Sequence, residues 1–178
     1  MNTRTSNSSR GAVHAMVIQA LFVALTFVAT MFVNIRLPLM GNGGLIHLGN
    51  VPLFLAAILF GKKTGAIAGA FGMATFDLLS GWTAWAPFTF VIVGAMGYAV
   101  GIIREKLKVR PVIANAVGMF VALVIKVVGY YFAEVLLYKN WILPFGSIPG
   151  NVMQVVAAAV IVLPIAEGLK KIVEKTGR

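Results

Sequence analysis

The stretch LGNVPLFLAAILFGKK, residues 48–63, decides how the chain must be folded. Its apolar part, Leu48 to Phe60, gives about 20 Å of helix at 1.5 Å per residue, against roughly 30 Å for the hydrocarbon core of a bilayer. Alone it is too short to cross. A Gly-rich segment, Gly41-Asn42-Gly43-Gly44, lies just upstream, and Gly61 with the paired Lys62 and Lys63 closes it. If the segment only dips into the membrane and returns, Lys62 and Lys63 fall outside and everything after them inverts. If it crosses, Arg4, Arg10, Lys62, Lys63, Arg104, Lys106, Lys108, Arg110, Lys170, Lys171, Lys175 and Arg178 share one side. Only Arg36 and Lys139 then lie opposite. Cytoplasmic loops of membrane proteins carry the excess of Lys and Arg, so the segment is read as a crossing.

Composition places the rest of the chain in the same environment. Of 178 residues 60% are hydrophobic and 11% charged, with a mean hydropathy of +0.93, whereas soluble domains carry about 25% charge. The apolar runs predict six spans near Val13–Asn34, Leu48–Phe60, Thr64–Leu79, Phe88–Ile103, Val112–Tyr138 and Val152–Val173. The first exceeds a signal-peptide core and is expected to be retained. The predicted fold is an all-α integral membrane protein, six transmembrane helices in one compact bundle spanning 1–178. A polar tail occupies 1–11, and both termini are cytoplasmic in a multi-pass cell-membrane protein. The formal charge of +10 then orients the chain in the bilayer and does not predict nucleic-acid binding. Residues 35–47, 80–87 and 139–150 form the external loops.

Small residues recur where helices can meet closely, which in lipid replaces the hydrophobic effect as a source of packing. Gly61, Gly65 and Gly69 follow at four-residue spacing, and Gly97 and Gly101 repeat it in the fourth span; these are read as contacts inside the bundle. Ala20 and Ala24 in the first span either pack inside or offer a strip to another protein.

Ionisable groups at membrane depth are costly and usually functional or paired. Lys126, Tyr130 and Glu134 fall at i, i+4, i+8 on one helix face. About 12 Å of axis separates the charges, too far for direct contact unless both bend, so they either border a ligand pocket or pair with other helices. Asn151 and Gln154 share a face at the depth of Glu134, and Asn151 is also placed to cap the sixth helix. His47 is open between ligand group and buried imidazole. Asp77 is expected to hold the following turn through its carboxylate. Trp82, Trp85, Tyr138 and Trp141 suit an interfacial belt, though Trp82 and Trp85 beside Pro87 could equally stack on a flat ligand. Glu167 with Lys170 and Lys171 reads as a solvated cytoplasmic pair.

Enzymatic chemistry finds little support. There is no cysteine, Asp77 is the sole Asp, and the two histidines, His14 and His47, fall in no serine-hydrolase pattern. No catalytic residue and no metal site are expected, and no phosphate-cradling loop for ATP is present. The inverted repeat of many secondary transporters is not visible, since Pro164 in span six has no counterpart in span three. An ion-coupled carrier or channel with Lys126 and Glu134 along its path remains the alternative to a binding protein.

The order and spacing of Ile46-His47-Leu48-Gly49-Asn50-Val51-Pro52, Ala56 to Ala66, Phe76-Asp77-Leu78-Leu79-Ser80-Gly81 and Gly94 to Gly101 resemble the riboflavin-type S components of energy-coupling factor (ECF) vitamin transporters. Within that group the chain looks most like the hydroxymethylpyrimidine and pyridoxine members. The resemblance implies a membrane subunit that captures a small flat vitamin outside and holds no cofactor of its own. ATP would be used by its partners, a transmembrane coupling protein and two cytoplasmic ATPases. It further implies that Ala20 and Ala24 contact the coupling protein. By location it places Asn42, His47, Trp85, Thr89, Lys126, Tyr130, Glu134, Asn151 and Gln154 near the ligand.

Overall fold

The computed structural model describes residues 3–36 and 45–176. Among them are α1 (Thr3–Phe32), the strands β1 (Asn34–Arg36) and β2 (Leu45–His47), α2 (Asn50–Phe60), α3 (Lys62–Leu79), α4 (Ala86–Lys106), α5 (Pro111–Tyr138), a 3₁₀ turn at Leu143–Ser147, and α6 (Ile148–Thr176). The six helices fall where the apolar runs put them, with shifted ends. Helix α1 begins ten residues before Val13 and runs through the polar tail, because extending a formed helix costs far less than starting one. It stops two residues short of Asn34, whose side-chain amide donates to the carbonyls of Thr30 and Met31. Helices α4 and α5 carry Pro87 and Pro111 in their first turns, where a missing N–H costs nothing. The first external loop contains an unforeseen antiparallel hairpin pairing Asn34 with His47 and Ile35 with Ile46.

Four helical segments, Gly11–Phe32, Ala86–Lys106, Pro111–Tyr138 and Leu143–Thr176, are long and apolar enough to cross a membrane. Helix α2 has only 11 residues, yet eight of them are buried and none is exposed. Leu53, Phe54, Ala57 and Ile58 pack with Met73, Val93, Met96, Met119, Ala158 and Val162 in the main core. Helices α1, α3, α4 and α6 pack around α2, so its length need not match the lipid. Gly61 at φ +90° turns the chain sharply from α2 into α3, a backbone angle that side chains rarely tolerate.

The end of α2 and the start of α3 lie at the same end of the bundle as the end of α4, the start of α5 and the end of α6. Lys62 pairs with Glu105 across α3 and α4. Glu167 accepts from Asn115 Nδ2 at 2.8 Å and from Arg104 Nη2 at 3.2 Å, joining α4, α5 and α6. Lys170 Nζ donates to the Leu59 carbonyl at 2.6 Å, answering one of the acceptors that the last turn of α2 leaves open. Glu167 is thus a cross-link between helices and not the solvated partner of Lys170 and Lys171 expected from spacing; Lys170 instead approaches Glu174 at 4.0 Å. Helix directions therefore alternate through six passes, with α1 starting and α6 finishing at this basic end.

Helices α3 and α4 meet through their glycines. A Cβ added at Gly97 would come 2.3 Å from the Gly65 carbonyl oxygen, and one at Gly65 would come 2.5 Å from Ala57 Cβ and 2.9 Å from the Gly97 carbonyl oxygen. Both clashes are with backbone or its first carbon, so no side-chain rotation relieves them. Gly97→Ala should destabilise the bundle by about 1–3 kcal/mol, seen as a lowered thermal midpoint in detergent. Gly168→Ala, where an added carbon meets nothing within 4 Å, should leave the midpoint unchanged or raise it. Equal midpoints for the two variants would remove the close approach as a source of stability.

Candidate functional site

At the end opposite the basic cluster, side chains from most of the bundle line a cavity of about 70 Å³ that opens outward. Helix α1 supplies Thr30, β2 supplies His47, and α3 supplies Met73, Phe76 and Asp77. Trp82, Trp85 and Thr89 come from the α3–α4 turn and the start of α4; Lys126, Tyr130 and Glu134 from α5; Ser147, Asn151 and Gln154 from the 3₁₀ turn and α6.

The stripe on α5 faces inward as its i+4 spacing demands. Lys126 is only 1% exposed, and its ammonium lies 5.2 Å from the centre of the Tyr130 ring, a cation–π distance. The Tyr130 hydroxyl hydrogen-bonds Thr89 Oγ1 at 2.9 Å, and the Thr89 hydroxyl faces the Asp77 carboxylate. One turn further out, Ser147 Oγ donates to Glu134 Oε2 at 2.7 Å. Lys126 and Glu134 do not pair with each other. All three ion pairs among the described residues involve other groups.

An aromatic wall closes one side. Trp82 and Trp85 meet edge to face with centroids 5.2 Å apart, and Trp85 meets Tyr138 in the same way at 5.9 Å. The four external aromatics therefore divide: Trp82 and Trp85 border the cavity, while Trp141 is 63% exposed, as an interfacial residue would be. On the opposite side, His47 Nδ1 accepts the Gly49 N–H at 3.2 Å. Gly49 itself passes so close to α1 that a Cβ would lie 2.1 Å from Thr30 Oγ1. Burial holds the His47 imidazole well below its ordinary protonation range, and the charge of Lys126 adds to the effect.

Of the nine residues expected near a ligand, His47, Trp85, Thr89, Lys126, Tyr130, Glu134, Asn151 and Gln154 line this one cavity. Asn42 lies outside the described residues. Two expectations are corrected. Asn151 does not cap α6, because the 3₁₀ turn leads directly into a helix that starts three residues earlier, leaving Asn151 free to face inward. The turn after α3 is held by main-chain carbonyls, with Trp82 N–H on Asp77 O and Ser80 N–H on Phe76 O, so the Asp77 carboxylate is available to the cavity. Thr30, Met73, Phe76 and Ser147 were not foreseen; a lone Asp in an otherwise apolar helix was the one signal that pointed to this wall.

Ala20 and Ala24 are exposed and lie in an open apolar groove between α1 and α3, with Met16, Val23, Phe27, Ile67 and Phe71 along it. They face away from the bundle, opposite Thr26 and Thr30, which are buried.

A family model described as "ECF-type riboflavin transporter, S component" matches residues 11–171. The thiamine precursor transporter HmpT of Lactococcus lactis subsp. cremoris is 30% identical over 159 residues, covering 89% of this chain and 86% of its own. A Pyrococcus woesei protein described only by its place in a gap 3′ region is 40% identical over 74 residues, 42% of this chain and 48% of its own. Among solved structures, the S component of a bacterial ECF transporter superposes with a TM-score of 0.71 at 18% identity, covering 90% of this chain and 98% of that one. At that identity the superposition speaks for the fold.

The buried imidazole yields a pH dependence. Unfolded, His47 takes a proton near 6.5, whereas the folded chain resists protonation until a lower pH. Stability present above 6.5 is therefore lost as pH falls from there through the folded value. Thermal midpoints in detergent should decline over that window, and His47→Gln should flatten the decline. An unaltered slope in the variant would show that the imidazole is not the group responsible.

Proposed function

The chain belongs to the S components of ECF-type riboflavin transporters, and from that premise we propose that its cavity captures a small flat heterocyclic alcohol, a hydroxymethylpyrimidine or pyridoxine, from outside the cell. The observation that carries this reading is the enclosure of Lys126 and Glu134. Two charged side chains on one helix face, held at membrane depth with neither joined in an ion pair, are expensive unless something polar arrives between them. The similarity to a thiamine precursor transporter favours the pyrimidine of the two ligands.

In this proposal Lys126 and Glu134 anchor the ring substituents. Asn151 and Gln154 hydrogen-bond ring heteroatoms. Trp85 stacks on the ring face, a geometry worth about 0.5–1.5 kcal/mol beyond burial. Thr89, Tyr130 and His47 fix the walls, and Asn42 is kept as a ligand-binding residue. The subunit itself uses no cofactor. ATP is consumed by two cytoplasmic ATPases, reached through a transmembrane coupling protein that docks on the groove at Ala20 and Ala24.

Lys126→Ala and Glu134→Ala should each weaken binding of the pyrimidine roughly ten- to hundredfold, the range for hydrogen bonds to charged groups. Calorimetry of purified, folded variants measures it; unchanged affinity in both would remove the assignment. Ala24→Trp should leave affinity intact and abolish uptake by cells holding the complete transporter. Loss of binding along with uptake would point to misfolding, and concentrative uptake by this chain alone in liposomes under an ion gradient would replace the reading with an autonomous carrier.

A further inference from the structure

We propose that Asp77 is a specificity-determining ligand contact: its carboxylate accepts an exocyclic amino group while Lys126 donates to the adjacent ring nitrogen, so the cavity selects aminopyrimidines and rejects phosphate esters. The inference rests on the capture reading above and narrows it to one ligand class.

Three observations carry it. The first is direction. The bonds that close the turn after α3 end on main-chain carbonyls, and the Asp77 carboxylate borders the cavity instead. The second is unused capacity. A carboxylate offers about four acceptor positions, and the neighbour it faces as a donor is the hydroxyl of Thr89, which is already bonded to Tyr130 at 2.9 Å. Asp77 and Lys126 attract across the cavity, but they form no ion pair within 4.0 Å. An acceptor and a donor thus face one another across a gap. An amino N–H beside a ring nitrogen presents the complementary donor and acceptor on one edge of a flat molecule, whereas a pyridine alcohol without the amino group carries its hydroxyl donors elsewhere and lacks that paired edge.

The third observation is charge. Among the described residues the ionisable groups facing the cavity are Asp77 and Glu134, both acidic; Lys126, basic; Tyr130; and His47, whose imidazole is neutral. The cavity therefore carries a formal excess of one negative charge in a low-dielectric setting. A phosphate ester would add like charge beside two carboxylates, and the one cation among the described lining residues already lies against the Tyr130 ring.

The test is equilibrium binding by calorimetry to the full chain in detergent. The probes are 4-amino-5-hydroxymethyl-2-methylpyrimidine, the same compound lacking the 4-amino group, and its phosphate monoester. The parent protein should prefer the amino compound by about tenfold or more, in line with a hydrogen bond to a charged group, and should bind the monoester more weakly than either. Asp77→Asn should weaken binding of the amino compound by a similar factor and leave the desamino compound unchanged. Equal losses for both ligands in Asp77→Asn, or no loss for either, would overturn the proposal. Should that variant fail to fold, equal affinity of the parent protein for the two neutral ligands would overturn it equally well. Failure of the parent to bind any probe would instead sink the capture reading itself.

Discussion

Hydrocarbon offers no hydrogen bonds, and an eleven-residue helix cannot bridge it alone; most of this architecture follows from accommodating α2 inside other protein. Because the helix is apolar beyond Asn50, most of it can be buried against its neighbours, and the core gathers around Leu53, Phe54 and Ile58. The carbonyl at Leu59 finds the Lys170 ammonium, and the entry to α2 is set by the hairpin and by Gly49 against Thr30. Close packing of α3 on α4 through Gly65 and Gly97 then leaves room at the opposite end of the bundle, where the helices are lined with larger and more polar side chains.

The two ends of the bundle use charge in contrasting ways. At the basic end the exposed Glu105 pairs with Lys62, and the half-buried Glu167 with Arg104 and Asn115. Those contacts join four helices. At the cavity end Asp77, Lys126 and Glu134 stay apart, braced by hydroxyls from Thr89, Tyr130 and Ser147. A protein that needed only stability would pair them, since an unmatched buried charge is costly. Membership of a vitamin-transporter family gives that cost a reason.

What could be read from the residues was what depends on local periodicity or on charge totals. The crossing of α2 followed from where Lys62 and Lys63 had to lie. The inward stripe on α5 followed from four-residue spacing, and the glycine contacts from the same rule on α3 and α4. What could not be read depends on how helices are turned about their axes and on short irregular turns. The direction of Asp77 is set by the packing of α3 on α1 and α4. The Ser147–Glu134 bond needs a 3₁₀ turn that has no periodic signature, and the same turn moves the start of α6 and frees Asn151 from capping. Glu167 was assigned to lysines on its own helix because spacing along one helix says nothing of Arg104 or Asn115 on two others.

The sheathing of α2 also bears on how the protein meets membranes of different thickness. A helix in contact with acyl chains tilts or stretches its surroundings when its apolar length and the bilayer disagree. With eight of its eleven residues buried, α2 offers the lipid little to pull on, so mismatch strain falls on the outer helices, which have length to spare. The innermost rod is shielded from that strain, and the cavity built beside it shares the shelter.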